Sequence, residues 1–132
     1  MAQGETVQGK IRERRGFTLI ELLIVVVIIG ILAAIAIPKF AATKDKAKLG
    51  SIRSDLRNVM SAMESYYVDY SVYTTSLDPL VFKPSTNNVL TVTASGGSFS
   101  ATINNNTISS GIDECTVTVG DGTLTDGVIT CS

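Results

Sequence analysis

From Phe17 to Ile37 every position is apolar or glycine except Thr18 and Glu21. Wound as an α-helix at 1.5 Å per residue, the run is about 31 Å long, enough to cross the hydrocarbon core of a bilayer. The glutamate inside it is expensive. A charge at the bilayer centre costs roughly 2.5 to 3.5 kcal/mol on insertion scales, and less near the interface. Glu21 therefore needs a partner.

The flanks give the run a direction. Lys10, Arg12, Arg14 and Arg15 stand ahead of it against only Glu5 and Glu13, which favours a cytoplasmic N-terminus and an outward-facing remainder. Residues 1–16 are polar and have no apolar stripe, so they read as a leader. The rest of the 132-residue chain carries seven Lys/Arg against ten Asp/Glu. That mildly acidic body offers no footprint for duplex DNA, whose binding depends on neutralised phosphates. The chain has no histidine, which removes the imidazole of Ser-His-Asp and Cys-His centres and of the commonest zinc sites. No catalytic residue, metal ligand set or cofactor is expected.

After Pro38 the pattern turns amphipathic. Leu49, Ile52, Leu56, Val59/Met60, Met63, Tyr66/Tyr67 and Tyr70 recur at steps of three or four, with Lys44, Lys48, Arg53, Asp55, Arg57 and Glu64 mainly between them. One helix from about Phe17 to about Val68 is predicted, anchor in its first half and core element in its second. Gly30 and Pro38 are its weak points, where a kink or a melted stretch is open. Residues 69–88 form a connecting loop by composition. Alternating runs follow at 89–94, 98–103, 115–119 and 127–131, with Gly96-Gly97 as a hairpin turn and Gly120-Asp121-Gly122 as a break. The fold class is α+β: a long helix packed on a small antiparallel sheet of about four strands. Its organisation is a leader at 1–16, a hydrophobic helix at 17–38 and a head at 39–132, the head comprising an amphipathic helix (39–68), a loop (69–88) and the sheet (89–132). Cys115 and Cys131 would be a disulfide outside the cytoplasm, worth about 3 kcal/mol by loop entropy, or buried thiols in a reducing compartment.

The stretch Gly16-Phe17-Thr18-Leu19-Ile20-Glu21, with basic residues before it and the apolar run after it, resembles the processing site of type IV pilins and pseudopilins. The resemblance is close over the first third of the chain and continues in outline through "YYVDYSVY" and a cysteine-closed C-terminal loop. It implies a type IVa-like pilin, a structural subunit and not an enzyme. A prepilin peptidase would cut between Gly16 and Phe17 and methylate Phe17. Glycine at the cut admits close approach, and the new α-amino group supplies the cation that Glu21 lacks. The amine and Glu21 lie about 6 Å apart along one helix, which allows a self-pair or a pair with a neighbour; the family reading is an adjacent subunit. Gly30 and Pro38 would lend the helix flexibility, and Cys115 with Cys131 would pin the C-terminal loop. The implied partners are further copies of the chain in a helical polymer, the inner-membrane assembly platform with its ATPase, an outer-membrane secretin, and membrane lipid before assembly. Implied locations are the inner membrane as a single-pass protein and then a surface pilus serving adhesion, twitching motility or DNA uptake.

Other readings stand beside this one. A type II secretion pseudopilin shares the motif, and the cysteine pair favours the pilin over it. A plain signal anchor gains nothing from Glu21, and a signal peptide cut near Ala34-Ile35-Ala36 would hold a glutamate in its apolar region. A bitopic envelope enzyme lacks a histidine. Tyr66, Tyr67, Tyr70, Tyr73 and Phe40 are read as packing between helix and sheet in preference to an electron path. Asp113, Glu114, Asp121 and Asp126 are read as turn residues in preference to a calcium loop, and Asn105-Asn106-Thr107 as a glycosylation sequon on a surface loop.

Overall fold

The computed structural model describes residues 1, 4, 16–78 and 82–132. Lys10, Arg12, Arg14 and Arg15 of the expected leader lie outside the described residues. The elements are one helix, α1 (Leu19–Tyr70), and strands β1 (Val89–Ser95), β2 (Ser98–Asn104), β3 (Glu114–Val119) and β4 (Thr130–Cys131). The strands form an antiparallel meander in the order β1-β2-β3-β4. This is the α+β class that the helical and alternating patterns require. Contacts divide the chain into two units, Met1–Ile37 and Pro38–Ser132.

In the first unit α1 turns apolar side chains outward all round: Leu22 is 62% exposed, Val25 49% and Ile29 59%. The helix is long and apolar enough to cross a membrane. Residues 30 to 38 are helical, with Pro38 inside the element and open space around the Cα of Gly30.

In the second unit the helical spacing of Ile52, Leu56, Val59 and Met63 places all four on one face, and all four are fully buried. They meet Phe99, Ala101 and Ile103 of β2 and Cys115 and Val117 of β3. The period of two along each strand puts those residues on one side of the sheet. Each large apolar side chain so buried contributes about 1.5 to 3 kcal/mol. The opposite face carries hydroxyls, among them the directly paired Thr102 and Thr116 with their oxygens 2.8 Å apart. Gly96-Gly97 makes the β1–β2 turn, Gly96 at φ +58°.

The tyrosines pack partly as the sequence suggests. Tyr73 stacks on Tyr67 at 4.6 Å and tilts onto Phe99 at 4.8 Å. Its hydroxyl donates to Glu64 Oε1 at 2.9 Å. Burial, then this bond and the Glu64 charge, push the phenol up to about 12. Tyr70 is 63% exposed, so the buried stripe that begins at Leu49 stops short of its expected C-terminal end, and Phe40, 68% exposed, does not join the packing expected of it. The fourth strand is also shorter than 127–131: Gly127 takes φ +74° and gives its N–H to the Thr118 carbonyl, leaving only Thr130 and Cys131 to pair with β3.

Candidate functional site

The start of α1 answers the question of what holds Glu21. Thr18 immediately precedes the first helical residue, Leu19. Glu21 Oε2 accepts the Thr18 backbone N–H and the Thr18 hydroxyl, each at 2.8 Å, and Thr18 Oγ1 accepts the Glu21 N–H at 3.3 Å. This reciprocal capping box satisfies donors that the first helical turn leaves orphaned. The carboxylate also faces the positive end of the helix dipole. Among the described residues no hydrogen bond reaches Glu21 Oε1, so one oxygen stays open to a cation. Gly16 and Phe17 precede this turn as exposed, non-helical residues.

In the head, Cys115 and Cys131 occupy paired positions on β3 and β4 and are joined by a disulfide. Cys115 is buried and Cys131 half-buried; the bond fastens the two-residue β4 to the sheet. The turn between them is held by acids. Asp121 Oδ1 accepts the N–H and hydroxyl of Thr123, and Asp126 Oδ1 accepts the Gly120 N–H. The bonds from Thr123, backbone first, hold the Asp121 carboxyl below its usual range. Gly120 sits at φ +80°, where a Cβ would lie 2.2 Å from the Gly97 carbonyl oxygen.

A second polar centre lies inside the head. Asp55 is only 4% exposed, on the buried face of α1 and not among the solvated charges. Helical geometry puts it one turn from Ile52 and Val59 on that face. Its oxygens accept the Ser85 N–H at 2.7 Å, the Ser85 hydroxyl at 2.9 Å and the Asn88 side-chain amide at 2.7 Å. Asn88 Oδ1 accepts from Asn105 Nδ2 at 2.7 Å, and Asn105 Oδ1 accepts the N–H and hydroxyl of Thr107. Asn105 is 3% exposed. Its amide is committed to this network, so the expected surface sequon is buried in the folded head.

Residues 11–37 match the family model described as the prokaryotic N-terminal methylation motif. Over 77 residues the chain is 42% identical to the type II secretion system core protein G of Klebsiella michiganensis, covering 56% of this chain and 54% of that protein. It is 39% identical over 79 residues to the core protein G of Pseudomonas aeruginosa, covering 58% and 56%. The type IV major pilin protein PilA of Myxococcus xanthus is 42% identical over 74 residues, 56% of this chain and 34% of that protein. Over somewhat more than half of its length the chain is thus similar both to type II secretion core proteins G and to a type IV major pilin, and its residues 11–37 carry the methylation motif. It spans about half the length of the secretion relatives it matches.

Two residues that sequence reasoning passes over matter in this chain. Thr18 carried a local signal, the Thr-x-x-Glu spacing ahead of an apolar run. Asp55 carried none, because its donors come from residues 85 and 88, across a loop whose path composition does not give.

Proposed function

We propose that this chain is a structural subunit of a pseudopilus-type filament, of the kind to which core protein G of type II secretion belongs. Cleavage falls between Gly16 and Phe17, the new terminus is methylated, and copies polymerise through the apolar half of α1. The observation that carries this reading is that helix: apolar on every side, uncovered, and bearing one capped carboxylate at its head. Before assembly, lipid covers that surface with the N-terminus in the cytoplasm; afterwards neighbouring helices cover it. Glu21 Oε1 then receives the Phe17 amine of an adjacent copy, because an intramembrane carboxylate is tolerated only when paired. The prepilin peptidase, an inner-membrane platform with its ATPase and an outer-membrane secretin are the partners this reading requires. The names of the core protein G relatives support secretion over a surface pilus.

The type IV pilus is the second reading, favoured by the match to the Myxococcus pilin and by the disulfide-fastened head. Intact mass and N-terminal sequencing of the protein from cell membranes and from sheared surface material test both. A chain starting at N-methylated Phe17, retained in the envelope and needed for export of a secreted enzyme, is the expected result. Abundant sheared filaments with export unaffected would select the pilus. A mature chain starting at Met1 or Ala2 would overturn both.

A further inference from the structure

We propose that a groove containing Arg53 and Arg57 on one copy receives the C-terminal end of α1, centred on Asp69, of a second copy. This rests on the filament reading above and names an interface for it.

The groove, about 490 Å³, is lined by Arg53, Arg57, Met60, Gly127 and Ile129. Arg53 and Arg57 stand four residues apart on the helix, so they share a face and repel. Neither has a carboxylate partner: among the described residues the one ion pair is Lys48–Asp45. The acids nearest in sequence are already engaged, Asp55 by Ser85 and Asn88, Glu64 by the Tyr73 hydroxyl, and Asp45 by Lys48 and the Ser109 N–H. Arg53 Nε does reach Cys131 Sγ at 3.5 Å, a weak acceptor that leaves the charge unmatched.

The opposite deficit lies at the end of α1. Its last turn holds Asp69 and no basic residue, so a carboxylate sits on the negative end of the helix dipole, where a cation is wanted. Around it Val68 is 81% exposed, Tyr70 63% and Val72 49%. An acid ringed by apolar side chains thus matches two guanidinium groups over a floor of Met60 and Ile129. Asp69 lies about 18 Å along the helix from Arg57, beyond reach within one chain, so each site is satisfied by another copy. The two patches differ, and a contact between unlike patches that does not close into a ring propagates as a filament.

The test uses the full chain in membranes with its assembly system. Arg57→Lys keeps the charge and introduces an amine that a carbodiimide couples directly to a touching carboxylate. With isotopically light and heavy copies mixed, the expected product is a cross-link of mixed isotope composition between positions 57 and 69, absent when Asp69→Asn is added. In parallel, Arg57→Glu and Asp69→Arg should each cut assembly roughly tenfold or more, and their combination should restore it to within about threefold of wild type. Unchanged melting of the heads would exclude misfolding. Cross-links at other positions only, coupling to lipid or to a different protein, or a combination no better than the worse single variant would overturn this interface while leaving the filament reading intact. If no cross-link between copies forms anywhere, the filament reading falls as well.

Discussion

Asn88 donates its side-chain amide to Asp55 at 2.7 Å and accepts one from Asn105 at the same distance, so one asparagine links the helix to the far end of β2. All three residues are buried. The helix, the entry to β1 and the exit from β2 are thereby tied at a single point inside the head.

Asp55→Ala is expected to destabilise the head by about 2 to 4 kcal/mol, because it strands Ser85 and Asn88 donors away from water. Asp55→Asn should be nearly as harmful, since its amide would present donors to donors. Thermal unfolding followed by near-UV circular dichroism checks this, and a loss under about 1 kcal/mol would show that the network is not structural.

Thr18→Val removes both hydroxyl bonds of the capping box and should cost the helix start about 1 kcal/mol. Thr18→Ser should retain it. Hydrogen exchange of the amides at 19–22 in detergent reads the cap; equal protection in the two variants would contradict the role of the hydroxyl.

Gly16→Leu is expected to leave unprocessed precursor in the membrane, visible as a larger band on an immunoblot. Glu21→Ala should permit insertion and processing but cripple assembly. Abundant filaments from that variant would refute the pairing of Glu21 with a neighbouring terminus.

Gly120→Ala should destabilise the head by roughly 1 to 3 kcal/mol, because the residue has positive φ and its Cβ would overlap the Gly97 carbonyl. Gly97→Ala, with φ outside the left-handed region and nothing within 4 Å of the added atom, is the matched control and should change melting little.

The Tyr73 phenol is raised above its unfolded value of 10, so its neutral form is favoured in the folded head. The corresponding stability is fully present below pH 10 and is lost as pH rises through about 12. An alkaline spectrophotometric titration should find one late-ionising tyrosine, and Glu64→Gln should bring it part of the way back toward 10, burial remaining the leading cause. Ionisation of Tyr73 at its ordinary value in the folded chain would contradict the packed position.

Elements with a local cause were legible in the residues alone. The anchor follows from an uninterrupted apolar run, α1 beyond Pro38 from its three-and-four spacing, and the β1–β2 hairpin from Gly96-Gly97 between alternating strands; each depends on neighbours within a turn or two of chain. The Thr18 capping box was equally local. Asp55 falls among Lys and Arg in the sequence, and nothing near it says that Ser85 and Asn88 will arrive 30 and 33 residues later to accept its burial. Asn105 reads as a surface sequon for the same reason, and β4 as a longer strand because the Gly127 bond to Thr118 exists only once β3 is in place. Hydrophobic period and turn chemistry are properties of adjacent residues. Whether a polar side chain is paid for inside the core depends on donors that only the folded chain brings within 3 Å.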